Sequence, residues 1–237
     1  MVEKLQPLLV VPASQDVLDV VIFIHGSGQS NISWNKVVVE VLAPMLPHIQ
    51  WILPQAPRRP ITIDQGQSLP SWFDIRHLPP FDDEYDDAAI TESISMIEEL
   101  VLAQVHNGID SRRIFLVGFS QGAALSLMVA LTSLHELGGV VSLSGWIPPL
   151  FRNNVHGVPT CPVLWCHGTE DADIPLSYAE DAIAFLSALG VPQTTLKFRT
   201  YTNLRHAIND PELEDVVHWL KAVTLGEQRN ETKTPFL

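Results

Sequence analysis

The stretch Arg113-Ile114-Phe115-Leu116-Val117-Gly118-Phe119-Ser120-Gln121-Gly122-Ala123-Ala124-Leu125-Ser126-Leu127-Met128-Val129-Ala130-Leu131 decides the fold. It begins as an apolar run of β-formers and ends as an apolar helical run. Between them lies Gly118-Phe119-Ser120-Gln121-Gly122. A strand, then G-x-S-x-G, then a helix holds a serine on a sharp bend with its oxygen at the end of a sheet. Glycines on both sides keep side chains from colliding with so tight a turn. The helix N-terminus beyond it favours negative charge. Taken alone, the same five residues also fit a glycine-rich turn with an N-capping serine.

A serine hydroxyl is a weak nucleophile unless a base takes its proton and a third group orients that base. In this strand–turn–helix setting the partners follow in the order Ser, then Asp or Glu, then His. The chain carries that order. Pro162-Val163-Leu164-Trp165-Cys166 reads as a buried strand and runs into His167-Gly168-Thr169-Glu170-Asp171-Ala172-Asp173. Asp171 and Asp173 are both within reach of the acid position, and the phase after His167-Gly168 favours Asp171. A helix from Leu176 to Leu189 and a β-type run from Thr194 to Tyr201 follow. His206 lies in the loop after that run, where the base belongs.

Other elements alternate in the same way. Strands are expected at Leu8 to Val11, Val17 to Ile24, Ile49 to Leu53 and Gly139 to Leu143. Helices are expected from Ser33 to Leu46 and from Asp86 to Asn107, with Gly108 at the C′ position of the second. Residues 54–81 are proline-rich and predict a long irregular segment, a kind of loop that is usually functional. Alternating helices and apolar strands give an α/β fold, a mostly parallel central sheet flanked by helices in a single domain. The domain is expected over residues 1–225, with 226–237 a flexible polar tail.

The 237 residues are 46% hydrophobic, ample for one large core, and carry a formal net charge of −13. Such a balance, with no basic cluster, argues against nucleic acid and against anionic membrane surfaces. The acidic run Asp82-Asp83-Glu84-Tyr85-Asp86-Asp87 reads as a solvated loop entering a helix, because its spacing matches no calcium loop. No apolar run is long enough to span a bilayer, and the N-terminus lacks the shape of a signal peptide. The two cysteines, Cys161 and Cys166, are expected as free thiols. Together these features predict a cytoplasmic protein without membrane insertion.

Read together, the motifs resemble the acyl-protein thioesterase / lysophospholipase-like carboxylesterases, a branch of the α/β-hydrolases. The resemblance spans about Val10 to Val223. It rests on His25-Gly26-x-Gly28, Pro54-Gln55-Ala56-Pro57, Ser71-Trp72-Phe73-Asp74, Gly118-Phe119-Ser120-Gln121-Gly122, Ser142-Leu143-Ser144-Gly145-Trp146, His167-Gly168-x-x-Asp171 and His206. It implies Ser120 as nucleophile, Asp171 as acid and His206 as base, with an oxyanion hole from the N–H groups of Ser27 and Gln121. It implies a serine carboxylesterase or acyl-thioesterase working through an acyl-enzyme, with no cofactor and no metal. An acylated protein, a lysophospholipid or a small-molecule ester or thioester would be the substrate. A compact ester or lactone is the alternative, and a non-catalytic ligand-binding member of the fold a further one. Trp72, Phe73, Trp146 and Leu150 are expected to line the acyl pocket, against the alternative that they pack as core. The chain departs from the family pattern at Ser27 and Gln29, which replace an apolar residue and an acid. It departs again at Ala123, Ala172, Asn203 and Ala207. Asn203 replaces a glycine, and asparagine tolerates the left-handed region that a glycine loop can require.

Overall fold

The computed structural model describes residues 8–17, 19–81, 85–152, 155 and 161–226, without the side chain of Leu150. Seven strands form one sheet in the order β1-β3-β2-β6-β7-β8-β9. They are β1 (Leu9–Val11), β2 (Asp19–Ile24), β3 (Ile49–Leu53), β6 (Ile114–Phe119), β7 (Gly139–Leu143), β8 (Val163–Gly168) and β9 (Leu196–Tyr201). All neighbouring pairs from β3 to β9 are parallel, and β1 is antiparallel at one edge. Every residue of β2, β6, β7 and β8 is buried. Their uninterrupted apolar runs are what a strand covered on both faces requires.

Two cores sandwich the sheet. One packs α3 (Asp87–His106), α4 (Gln121–Thr132) and α6 (Leu176–Ala188) through Ile97, Leu125, Met128 and Ala182. The other packs α1 (Asn31–Val37) and α7 (Asp210–Leu225) through Trp34, Leu213, Val217 and Leu220. The expected single-domain architecture is therefore observed. Gly108 ends α3 with φ +90°, in the left-handed region that glycine occupies freely. Cys161 and Cys166 are buried and free.

Three local readings need correction. The segment 54–81 is not wholly irregular. It contains an antiparallel hairpin of β4 (Arg58–Ile61) and β5 (Gln67–Pro70), turned through Gln65 and Gly66 at φ 58° and 77°. Pro60 within β4 hid it, since proline is confined to sheet edges and such a small ribbon is all edge. The helix expected from Ser33 to Leu46 is broken by a π turn over Val38–Leu42 before the short α2 (Ala43–Met45). Pro44 lacks an N–H, and just ahead of it the Ala43 N–H bonds Val38 O, one residue further back than in an α-helix. A single helical turn, α5 (Pro149–Arg152), was also not expected. Residues 82–84 of the acidic run, and the tail beyond Gly226, lie outside the described residues.

The parallel register aligns the carboxyl ends of the strands. Ile24 pairs Gly118, Phe119 pairs Leu143, and Gly168 pairs Tyr201. The loops after β2, β6, β7, β8 and β9 thus emerge along one rim, where ligands of open α/β sheets bind. At the centre of that rim the backbone is packed without side chains. A Cβ on Gly122 would lie 2.1 Å from Ile24 O, and one on Gly118 would lie 2.2 Å from Gly122 O. Backbone atoms cannot yield as a flexible side chain does, so Gly122→Ala is expected to destabilise the protein by about 3 kcal/mol or more. Urea unfolding of the purified variant measures this. A loss below about 1 kcal/mol would mean that the turn can open without cost.

Candidate active site

Ser120 occupies the bend between β6 and α4 with φ 54° and ψ −119°. That strained backbone is held from both sides. The Ser120 N–H donates to Leu143 O at 2.8 Å, and its carbonyl accepts from the Ala123 and Ala124 N–H groups, each at 3.0 Å. The strain lifts the hydroxyl to the rim. His206 arrives from the loop after β9 and places Nε2 2.8 Å from Ser120 Oγ. Its Nδ1 lies 2.7 Å from Asp171 Oδ2. The imidazole also packs on Phe119, with ring centroids 5.0 Å apart.

Asp171 is buried, whereas Asp173 is exposed. The Asp171 carboxylate accepts the N–H of Ile174 at 2.8 Å and of Asp173 at 3.1 Å on Oδ1, leaving Oδ2 for His206. Burial pushes this carboxyl up. The hydrogen bonds from His206 and Ile174 and the nearby imidazoles outweigh it, and the net effect holds Asp171 below the usual carboxylate range. Of the two aspartates, the structure brings Asp171, which the phase after His167-Gly168 favours, to His206. Asp173 supplies only a backbone donor.

The loop carrying His206 is set by close backbone contact with the loop after β8. The Glu170 N–H donates to Leu204 O at 2.9 Å, the Asn203 N–H donates to Thr169 Oγ1 at 3.1 Å, and a Cβ on Gly168 would lie 2.2 Å from Leu204 O. Asn203 sits at φ 60°, the left-handed conformation expected of it. His167 is wholly buried and bonds Ile174 O through Nε2 at 2.7 Å, which makes Nε2 the donor. Burial lowers its pKa, so it supports the Asp171 loop as a neutral ring.

Ser27 and Gln121 each lie three residues beyond the paired strand positions Ile24 and Gly118, so their loops run side by side. As the first residue of α4, Gln121 has an N–H with no intrahelical acceptor. Its side chain is consumed elsewhere. Oε1 accepts from the Trp72 N–H and lies 2.9 Å from Ser71 Oγ, and Nε2 donates to Phe73 O at 2.7 Å. The Ser27 loop is fixed by the side chains and backbone around it. Gln29 Oε1 accepts from the Gly26 N–H at 2.9 Å and Trp34 Nε1 at 2.8 Å, and the Gly28 N–H donates to Pro70 O at 2.8 Å. His25 Nε2 accepts the Ala56 N–H at 3.1 Å, so its proton resides on Nδ1 and is donated to Gly26 O at 2.7 Å. Burial holds that ring neutral, with a pKa of about 4. The one signal for Gln29 was its standing as a departure from the family pattern.

The expected pocket residues are distributed unevenly. Trp72 is fully buried beneath the Ser27 loop, where Nε1 donates to His25 O at 2.7 Å. Phe73 and Trp146 are each 1% exposed and meet edge to face at 6.3 Å, and Trp146 Nε1 donates to the Tyr85 hydroxyl at 3.0 Å. Trp146 and Tyr85 also line a cleft of about 280 Å³ with Ile147, Pro149 and Tyr178, and Ser177 and the ion pair of Arg152 and Asp181 supply its polar side. Leu150 lies in α5, and its side chain is outside the described part of the structure.

These features can be set beside known proteins. A family described as phospholipase/carboxylesterase matches residues 6–224. The chain belongs to the phospholipase/carboxylesterase family. It is 34% identical over 215 residues to acyl-protein thioesterase 1 of Cryptococcus neoformans var. neoformans serotype D, covering 84% of this chain and 90% of that protein. It is 30% identical over 207 residues to carboxylesterase SOBER1 of Arabidopsis thaliana, covering 85% of this chain and 89% of that one. The crystal structure of Zea mays acyl-protein thioesterase 2 superposes with a TM-score of 0.79 at 26% identity, covering 92% of this chain and 99% of that chain. That of Arabidopsis SOBER1 gives 0.77 at 29%, covering 86% and 98%. The fold is that of the α/β-hydrolases, and the protein is a serine hydrolase of the carboxylesterase type. Among the described residues no helix is long and apolar enough to cross a membrane.

A further carboxyl lies buried behind the site. Glu212 in the first turn of α7 is 0% exposed, and neither carboxyl oxygen has a hydrogen-bond partner among the described residues. Burial pushes it up to about 8, Asp171 and Asp215 push in the same direction, and the Asn209 backbone offsets only part. A glutamate raised in the folded state binds its proton more tightly there than in the unfolded chain. Stability is therefore lost as pH climbs from about 4.5 to about 8 and is flat above that. Glu212→Gln removes the titration. Its Tm relative to wild type is expected to rise between pH 5 and pH 8, read by differential scanning calorimetry, whereas a pH-independent difference would contradict the assignment.

Proposed function

We propose that the protein hydrolyses acyl esters and thioesters through an acyl-enzyme on Ser120. The observation that carries this reading is the continuous hydrogen-bonded chain from Ser120 Oγ through His206 to Asp171, at 2.8 and 2.7 Å. In the first half-reaction His206 Nε2 takes the Ser120 proton as Oγ attacks the carbonyl carbon. Asp171 holds the tautomer that leaves Nε2 free to accept, and it balances the imidazolium charge. The tetrahedral oxyanion takes hydrogen bonds from the Ser27 and Gln121 N–H groups, each such donor being worth about 10²–10³ in rate. His206 next protonates the leaving oxygen or sulfur. It then draws a proton from water, which cleaves the acyl-serine and restores the hydroxyl.

The acyl group is proposed to lie on the Trp146 side, toward the cleft that Tyr85 and Tyr178 share. The names of the relatives bring acylated proteins into this substrate class, together with single-chain acyl lipids and smaller acyl thioesters. The free buried thiols Cys161 and Cys166 fit a cytoplasmic setting.

A fluorophosphonate probe is expected to label wild type and to spare Ser120→Ala, as read by intact-protein mass spectrometry. Asp171→Asn should reduce kcat by orders of magnitude, and Asp173→Asn by less than about threefold. Labelling of the alanine variant, or a larger loss at Asp173, would remove the proposed roles. Along a series of p-nitrophenyl esters, kcat/KM should rise about fourfold per added methylene, from about 0.8 kcal/mol each, until the cleft is full. A flat series would show that no apolar acyl site is in use.

A further inference from the structure

A second concavity, of about 550 Å³, opens between the loops that carry Ser27 and His206. Gln29, Trp34 and Val37 form one wall, Arg58 and Leu69 of the β4–β5 hairpin form the other, and Ile208 closes one side. The volume is that of a small-molecule site. Most of its walls are apolar, and Arg58 is the charged side chain among the described residues that line it. Among the described residues no carboxylate lines it, although the chain carries 27 acidic residues against 14 basic ones.

Its side of the sheet decides what it can hold. Trp34, Phe119 and Leu204 belong to the core of the α1 and α7 face, whereas Trp72, Phe73 and Trp146 belong to the core of the opposite face. The His206 ring lies on Phe119, on the α1 and α7 side. When the tetrahedral adduct collapses, the carbon–oxygen or carbon–sulfur bond breaks. The departing atom keeps the electron pair and takes the proton held on His206 Nε2, while the acyl carbon stays on Ser120 Oγ. The departing atom must therefore face the imidazole, and the rest of the leaving group must extend to that side.

We propose that this groove is the leaving-group subsite, and that it takes an amphipathic leaving group whose anionic end, phosphate or carboxylate, meets Arg58. The inference deepens the acyl-enzyme reading and rests on it. A guanidinium matches either anion with paired donors, and the Ser68 carbonyl, which accepts from Arg58 Nη2, braces the side chain on the hairpin. The Gly28 N–H donates to Pro70 O, which ties the same hairpin to the Ser27 loop, so the anion site and the oxyanion donors share one frame.

The test keeps the acyl group constant and varies the thiol. Octanoyl thioesters of N-acetylcysteamine, glutathione and coenzyme A offer a neutral leaving group, one with two carboxylates and an ammonium, and one with phosphates. In wild type, kcat/KM should favour the anionic thioesters over the neutral one, and added salt should erode that advantage. Arg58→Ala should lower the anionic-to-neutral ratio of kcat/KM about tenfold, chiefly through KM, as loss of one charge-assisted contact implies. Arg58→Lys should restore part of the ratio. A fall confined to the coenzyme A ratio assigns phosphate as the ligand, and one confined to glutathione assigns carboxylate. An unchanged ratio for both overturns the proposal, and so does an equal loss on all three thioesters. Hydrolysis that survives in Ser120→Ala would strike the acyl-enzyme reading itself, whatever ratio Arg58 shows.

Discussion

The rim of the sheet depends on backbone meeting backbone without a side chain between. Gly122 against the Ile24 carbonyl, Gly118 against Gly122 and Gly168 against the Leu204 carbonyl are all closer than any Cβ would permit. Two of these contacts join separate stretches of the chain, and one lies within the elbow. The first locks the elbow to the loop after β2, the second lets the elbow turn at all, and the third seats the loop of His206 on the loop of Asp171. The strain at Ser120 is sustained because these contacts, with the bond from its N–H to Leu143 O, leave the chain no other course. Side-chain chemistry at the rim is thus fixed by main-chain packing, and that packing is set by residues whose only contribution is to be small.

Two buried carboxyls near one another show how local geometry sets protonation. Asp171 loses water but gains two backbone donors and an imidazole, and it stays ionised. Glu212 loses water and gains no side-chain partner, so its proton is retained into the neutral range. The negative charge of Asp171 itself helps to keep Glu212 neutral. Were both ionised, two like charges would share a low-dielectric pocket behind the imidazole. Burial accounts for most of the rise at Glu212, and the charge of Asp171 adds to it.

Much of this was legible in the chain. The strands β2, β6, β7 and β8 announced themselves as uninterrupted apolar runs because both of their faces are covered. Ser120, Asp171 and His206 were legible through their order and their places after strands. The choice between Asp171 and Asp173 needed the turn in which the Asp171 carboxylate accepts the N–H groups two and three residues on. The β4–β5 hairpin was hidden by Pro60. The burial of Glu212 was not legible, since a glutamate in the first turn of a helix ordinarily faces water. Nor was the role of Trp72. Aromatic residues in a long loop suggest a pocket wall, and only coordinates reveal that its N–H is tied to the His25 carbonyl beneath that loop.

The two cores are separated by four strands with no exposed residue. The buried apolar residues packed with α3, α4 and α6 form one cluster, and those packed with α1 and α7 form another. Free-energy changes on the two faces should consequently sum with little cross-talk. A lineage could then retune one flank of the rim while the other drifts, each under its own selection, with the glycine-packed centre held fixed between them.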